Sequence, residues 1–137
     1  MPKLELVQPS CNPQTIYDGR GGIFTYIPQE PLVEFSMLYF QPGASRGHHF
    51  HPEFTEYFLV VEGQGVMVSC GAPDEPEQVL HMSKGMCSRS PAGVAHTFHA
   101  ITPVTAIALL TKRWDDSNPP IVRQEMSNPT AVNSPRA

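Results

Sequence analysis

Apolar residues in this chain come in short runs that stop before a helical face could be completed. Residues 55–61 (TEYFLVV) form a nearly continuous aromatic and β-branched run, ended by Glu62-Gly63. Seven residues suit a buried strand better than a helix. Over 104–111, Val104, Ala106, Ala108 and Leu110 share one side of a two-residue alternation, which predicts a strand with one buried face. Val66, Val68 and Cys70 alternate with Met67 and Ser69 in the same way. Residues 23–27, 34–41, 48–51, 78–82, 86–90 and 96–101 continue the series of short strands. Turn signals separate them: Pro42-Gly43, a hairpin signal at Gly63-Gln64-Gly65, a polar loop over 71–77, Lys84-Gly85 and Pro91-Ala92-Gly93. Eight or more short strands at even spacing predict an all-β sandwich or small barrel.

Composition strengthens this picture by exclusion. The 137 residues make one domain and include 15 prolines and 10 glycines spread along the chain. In a helix interior proline costs about 3 kcal/mol and glycine about 1, so a helical bundle or a doubly wound α/β sheet is excluded. We divide the chain into an N-terminal arm or edge segment (1–15), a β-barrel (16–114) and a C-terminal turn and loose tail (115–137).

Nine basic and thirteen acidic residues give a net charge of −4, and no basic run exists to follow a nucleic-acid backbone. There is no apolar stretch long enough to span a membrane and no secretion signal at the N-terminus, so a cytoplasmic protein is expected. Cys11, Cys70 and Cys87 are odd in number and lack metal-ligand spacing, so we read them as reduced thiols.

Candidate chemistry lies in the histidines. Five of the six cluster as His48, His49, His51 and as His96, His99. On a strand His49 and His51 project to one face. Pro52 ends that strand, and a reversal would bring the carboxylate of Glu56 beside the pair. His96, after the turn at 91–93, is a candidate fourth ligand. Such nitrogen and oxygen donors suit Fe(II), Mn, Ni, Cu or Zn, and spacing does not choose among them. By the same alternation Tyr57 points away from Glu56, and His48 away from its neighbours. His99 faces away from His96, and His81 is isolated and exposed.

The segment GASRGHHFHPEFTEYFLVVEG resembles the first cupin motif, G-x5-H-x-H-x4-E-x6-G, at every fixed position. GMCSRSPAGVAHTFHA resembles the second, G-x5-P-x-G-x2-H-x3-N, with Ala100 in place of the final Asn. The resemblance spans residues 43–100 and implies a single cupin-type jelly-roll barrel. It implies one divalent transition metal ion (Zn, Fe, Mn or Ni) held by His49, His51, Glu56 and His96.

Arg46-Gly47-His48-His49 is similar to the R-G-x-H stretch of the deoxysugar cupins, and Asp18-Gly19-Arg20-Gly21 to their D-x-R-G element. This implies an epimerase or isomerase acting on a keto-sugar by proton abstraction next to a carbonyl. The substrate would be a small molecule, expected to be an anionic sugar nucleotide. By carry-over, His49 is the base; if it binds metal instead, Tyr57 or His99 must move the proton. Arg46 is the candidate anion clamp. The alternatives are an Fe(II)-dependent cupin dioxygenase and a non-catalytic ligand-binding cupin. A homodimer is expected, with residues 1–15 covering an open sheet edge.

Overall fold

In a computed structural model, which describes residues 3–7, 16–70 and 75–127, the short apolar runs become strands of two antiparallel sheets. In chain order the strands are β1 (Glu5–Val7), β2 (Ile16–Asp18), β3 (Gly21–Ile23), β4 (Glu34–Phe40), β5 (Ser45–Phe50) and β6 (Glu56–Glu62). They continue as β7 (Gln64–Cys70), β8 (Gln78–Ser83), β9 (Cys87–Ser90), β10 (Ala95–Ala100), β11 (Val104–Leu110) and β12 (Val122–Arg123). One sheet runs β1-β9-β6-β11-β4 and the other β12-β5-β10-β7-β8, with β2 and β3 as a separate hairpin. Two antiparallel sheets in this order form the jelly roll that the sequence led us to expect. Among the described residues no helix is long and apolar enough to cross a membrane.

The core lies between the sheets. In β11 burial alternates residue by residue, with Val104, Ala106, Ala108 and Leu110 turned inward. Phe40, Phe58 and Phe98 meet there from three strands, with ring centroids 4.8 to 6.3 Å apart. Leu4, only 1% exposed, joins the same core, and β1 pairs with β9. The described part of the N-terminal arm therefore covers an edge of its own sheet.

Three expectations are corrected. Gly63 is not a hairpin turn: β6 and β7 belong to different sheets, so the chain turns a corner there. A Cβ on Gly63 would lie 2.1 Å from the Pro103 carbonyl oxygen, and its φ is +94°, so only glycine fits this corner. The strand expected over 23–27 has already ended at Ile23, and the following residues pack over the turn between β8 and β9. There the Phe24 ring lies against Gly85, and the Tyr26 hydroxyl donates to the Gly85 carbonyl. Finally, residues 115–127 do not trail away. A short 3-10 turn, Trp114–Asp116, is followed by a return to the sheet, where β12 pairs with β5. Residues 128–137 lie outside the described residues.

Candidate functional site

The site is built where β5 meets β10. From one end the register pairs Ser45 with His99, Arg46 with Phe98 and Gly47 with Thr97; then His49, not His48, pairs with His96. His48 is therefore an extra residue, a β-bulge, with φ +56°. Strict alternation would put Arg46 and His49 on opposite faces. The bulge brings both to the cavity side and sets the His48 ring against His99, 5.9 Å between centroids. Gly47 has φ +128°, and a Cβ there would lie 2.6 Å from both the His96 carbonyl oxygen and the Thr97 Cα. The bulge thus depends on a residue without a side chain.

Inside, His49, His51 and His96 converge. Their ring centroids are 4.8 to 5.1 Å apart, and one nitrogen from each lies within 4.8 Å of the other two. Glu56, first residue of β6, reaches this group: its Oε1 is 2.9 Å from His96 Nε2 and 3.5 Å from His51 Nε2. His51 Nδ1 lies 3.0 Å from the Pro120 carbonyl oxygen and His96 Nδ1 3.3 Å from that of Val94. A carbonyl only accepts, so each Nδ1 carries a proton. The neutral ring then presents a bare Nε2 lone pair to the Glu56 carboxylate, an arrangement that needs positive charge between them. Among the described residues His51 Nε2 is buried without a hydrogen-bond partner. The His51 ring is also stacked on Phe54 at 4.4 Å, with Trp114 6.1 Å away.

Electrostatics favour a shared cation over protons on every ring. Burial, then the neighbouring His96 and His51, lowers the His49 pKa to about 4, so His49 is neutral near pH 7. Burial alone would raise the Glu56 pKa; positive charge and hydrogen bonds from protonated His51 and His96 would outweigh it and hold the carboxyl well below the usual range, and a metal ion between neutral rings would supply the same positive charge. Three imidazoles around a carboxylate, two of them (His51 and His96) anchored outward through Nδ1, fit one divalent transition metal ion.

These groups sit in a cavity of about 570 Å³, whose inner wall includes Leu38, Phe40, Phe58, Met67 and Phe98. Arg46 also lines it, and among the described residues no carboxylate pairs with its guanidinium. Sequence reading missed a second cation, Arg123 of β12, which lies opposite His49 in register, lines the cavity and pairs with Glu125 at 3.3 Å. It also missed Pro120, whose carbonyl anchors His51.

Two expected proton carriers are not brought to the cavity. Tyr57 faces the other side of β6, where its hydroxyl donates to Glu30 at 2.6 Å and accepts from the Gln29 N–H at 2.9 Å. His99 is turned outward on β10, with Nδ1 2.5 Å from Ser45 Oγ and Nε2 3.1 Å from the Ser127 carbonyl. Alternation is the cause in both cases: the residues beside Glu56 and three after His96 face away. Arg20 lies in the turn between β2 and β3, outside the cavity lining. His81 is exposed.

Behind the site, Arg89 grips Glu30 with Nη2 at 2.5 Å and Nε at 3.3 Å, and Glu5 with Nη1 at 3.0 Å. The Arg89 hydrogen bonds, helped by that of Tyr57 and opposed by burial, hold the Glu30 pKa below its ordinary value. A depressed carboxyl pKa stabilises the fold above the unfolded pKa of about 4.3, and the gain disappears as pH falls through the folded value. Glu30→Gln is therefore expected to cost about 1 kcal/mol at pH 7, with the difference from wild type shrinking below about pH 4. Urea unfolding of both proteins across that range checks it; a constant difference would contradict it.

The cupin domain family matches residues 36–111. Among solved structures, the capsular polysaccharide assembling protein CapF from Staphylococcus aureus superposes with a TM-score of 0.65 at 25% identity. That match covers 82% of this chain and 34% of CapF, so this chain spans about a third of CapF's length. QdtA, a sugar 3,4-ketoisomerase from Thermoanaerobacterium thermosaccharolyticum in complex with TDP, gives 0.71 at 15% identity, covering 89% and 88% of the two chains. The dTDP-6-deoxy-D-glucose-3,5-epimerase RmlC from Legionella pneumophila, in complex with dTDP-4-keto-L-rhamnose, gives 0.69 at 18% identity, covering 83% and 70%. No curated protein matches the chain.

Proposed function

Because this chain belongs to the cupin domain family, we propose that its cavity is the active site of a sugar epimerase or isomerase acting on a nucleotide-linked keto-sugar. The observation that carries this reading is the convergence of His49, His51, His96 and Glu56 in a cavity also lined by Arg46, which has no carboxylate partner among the described residues. The ligands named for QdtA and RmlC, TDP and dTDP-4-keto-L-rhamnose, support the substrate class.

His51, His96 and Glu56 would hold one divalent transition metal ion: the Nδ1 groups of both imidazoles are tied to backbone carbonyls and both Nε2 atoms face the carboxylate. Bound there, the ion would act as a Lewis acid toward a carbonyl oxygen. We assign His49 to move the proton. Its ring has no hydrogen-bond partner among the described residues, it lines the cavity, and burial keeps it unprotonated at neutral pH. His49 would take the proton from the carbon next to the ketone, the electron pair passing to the ketone oxygen as an enolate. Protonation of the same carbon from the opposite face, by solvent, gives the epimer and leaves the abstracted proton on His49 for release to water. For the isomer, the hydroxyl on the deprotonated carbon gives up its proton as that carbon becomes the ketone. His49 then returns its proton to the former ketone carbon, whose oxygen gains the hydroxyl proton. Arg46 and Arg123 would hold the anionic part of the substrate, since guanidinium groups grip phosphate in a bidentate fashion.

Incubation in deuterated water with dTDP-4-keto sugars tests this reading. Wild type is expected to incorporate deuterium at a carbon next to the ketone. His49→Ala is expected to lower that rate by at least about 100-fold while retaining the metal. Absence of exchange across the sugars would overturn the sugar reading, and oxygen consumption with iron in its place would move the assignment to a dioxygenase. Loss of metal in His49→Ala would make His49 a holder and leave the base unassigned.

A further inference from the structure

Two histidines with no part in the proposed proton transfer, His48 and His99, both hold the C-terminal return of the chain. After Ser117 the chain runs back along β5, and none of residues 118–127 is buried. β12 itself has only 2 residues. Apolar packing therefore holds this segment weakly, and polar contacts at a few points set its place. At its root the Asn118 N–H donates to Glu53 Oε2 at 2.8 Å. In its middle the Pro120 carbonyl accepts from His51 Nδ1, and Arg123 stands opposite His49. Beyond β12 the Gln124 N–H donates to the His48 carbonyl at 2.7 Å, and the Met126 N–H to His48 Nδ1 at 3.1 Å. The far end closes at Ser127. Its carbonyl accepts from His99 Nε2, while its N–H and its hydroxyl both donate to the Glu77 carboxylate, at 3.2 and 2.5 Å. His99 is fully buried with Nδ1 on Ser45, so lifting Ser127 would strip its Nε2–H of the protein acceptor.

We propose that residues 118–127 are a strap, and that Glu77 and His99, which clasp its far end, are positioning residues for the site. The clasp keeps Pro120 on His51 and Arg123 at the cavity. With it open, the segment is held at its root and by the short β12 alone, and the Pro120 carbonyl no longer stays on His51 Nδ1. That carbonyl is what turns the His51 Nε2 lone pair toward Glu56. The effect on the metal rests on the reading of His51 as one of its holders, and it is reciprocal. Whatever factor a docked strap adds to metal affinity, the bound ion adds to the preference for the docked strap.

Glu77→Ala tests the clasp from an exposed position. Glu62→Ala, which removes the exposed partner of Lys84, is the comparison. In the metal-free chain at neutral pH, proton NMR is expected to show a slowly exchanging His51 Nδ1–H in wild type, lost to exchange with water in Glu77→Ala. Backbone exchange at Gln124 and Met126 should be about 10-fold faster in Glu77→Ala, with β11 unchanged. Titration with Mn or Zn should show affinity about 10-fold lower, the small end of the effect of losing a ligand's hydrogen-bond partner. Glu77→Gln keeps one acceptor oxygen for Ser127 and should recover part of each loss, whereas Glu62→Ala should match wild type throughout. An unchanged His51 Nδ1–H and unchanged strap exchange in Glu77→Ala would overturn the strap, whether or not metal binds. A wild type that takes up no metal, with both exchange effects present, would remove the metal reading and leave the strap. Faster exchange with unaltered metal affinity would overturn the coupling between them.

Discussion

Replacing His96 with alanine is expected to lower the affinity for a divalent transition metal by more than about 100-fold, because loss of a group that merely hydrogen-bonds a metal ligand already costs about 10- to 100-fold. His96 is 4% exposed, and its Nε2 makes the shortest contact to Glu56 in the cluster, 2.9 Å. Its Nδ1 is tied to the Val94 carbonyl, which fixes the ring with Nε2 toward Glu56. The variant leaves Glu56 with His51 alone, at 3.5 Å. The thermal readout is direct: a ligand that binds only the folded state raises its melting temperature by mass action. Wild type is expected to melt higher with metal, and His96→Ala at the same temperature with or without it. His81→Ala, on an exposed strand position, is expected to behave as wild type. Equal metal-induced shifts in wild type and His96→Ala would remove His96 from the site.

The second large effect comes from a residue without a side chain. Gly47→Ala would place a Cβ 2.6 Å from two backbone atoms of β10, one of them the His96 carbonyl oxygen. Backbone cannot swing aside as the end of a long side chain can, so β5 and β10 must part. The substitution also forces an L-residue to φ +128°. Strain and lost pairing together are expected to cost about 3 kcal/mol or more. The same separation draws His49 and His51 away from His96, so metal binding should fail along with stability. Gly93→Ala supplies the comparison: its φ of +85° is also unfavourable, but nothing lies within 4 Å of the added Cβ. It should cost about 1 kcal/mol and leave metal binding intact. Chemical denaturation with a metal titration on both variants separates crowding from backbone conformation. Similar losses in the two would show that the close approach to β10 matters little.

The sequence made legible whatever depends on spacing within one strand. The alternation over 104–110 reads directly as the buried face of β11, and His49 with His51 as a same-face pair. The two motif segments bring His96 and Glu56 to that pair. Features set by a partner strand were hidden. The bulge at His48 exists because β10 fixes the register on both sides of it, so the shared cavity side of Arg46 and His49 has no signature in β5 alone. The two residues of β12 are too few to show any period, so Pro120 and Arg123 read as turn and tail. Tyr57 shows the opposite case: alternation already turned it from Glu56, and Glu30 holds it there.

The central claim is that His96 of β10, Glu56 at the start of β6 and His51 just after β5 hold one metal ion, with His49 beside it as the proton-moving member. Metal analysis of the chain, reconstituted with Fe, Mn, Ni or Zn and freed of excess ion, tests it most directly. The account predicts one equivalent of metal per chain in wild type and in His49→Ala, and none in His96→Ala or Glu56→Ala. Metal-free wild type after reconstitution with every ion, or full occupancy in His96→Ala, would contradict it.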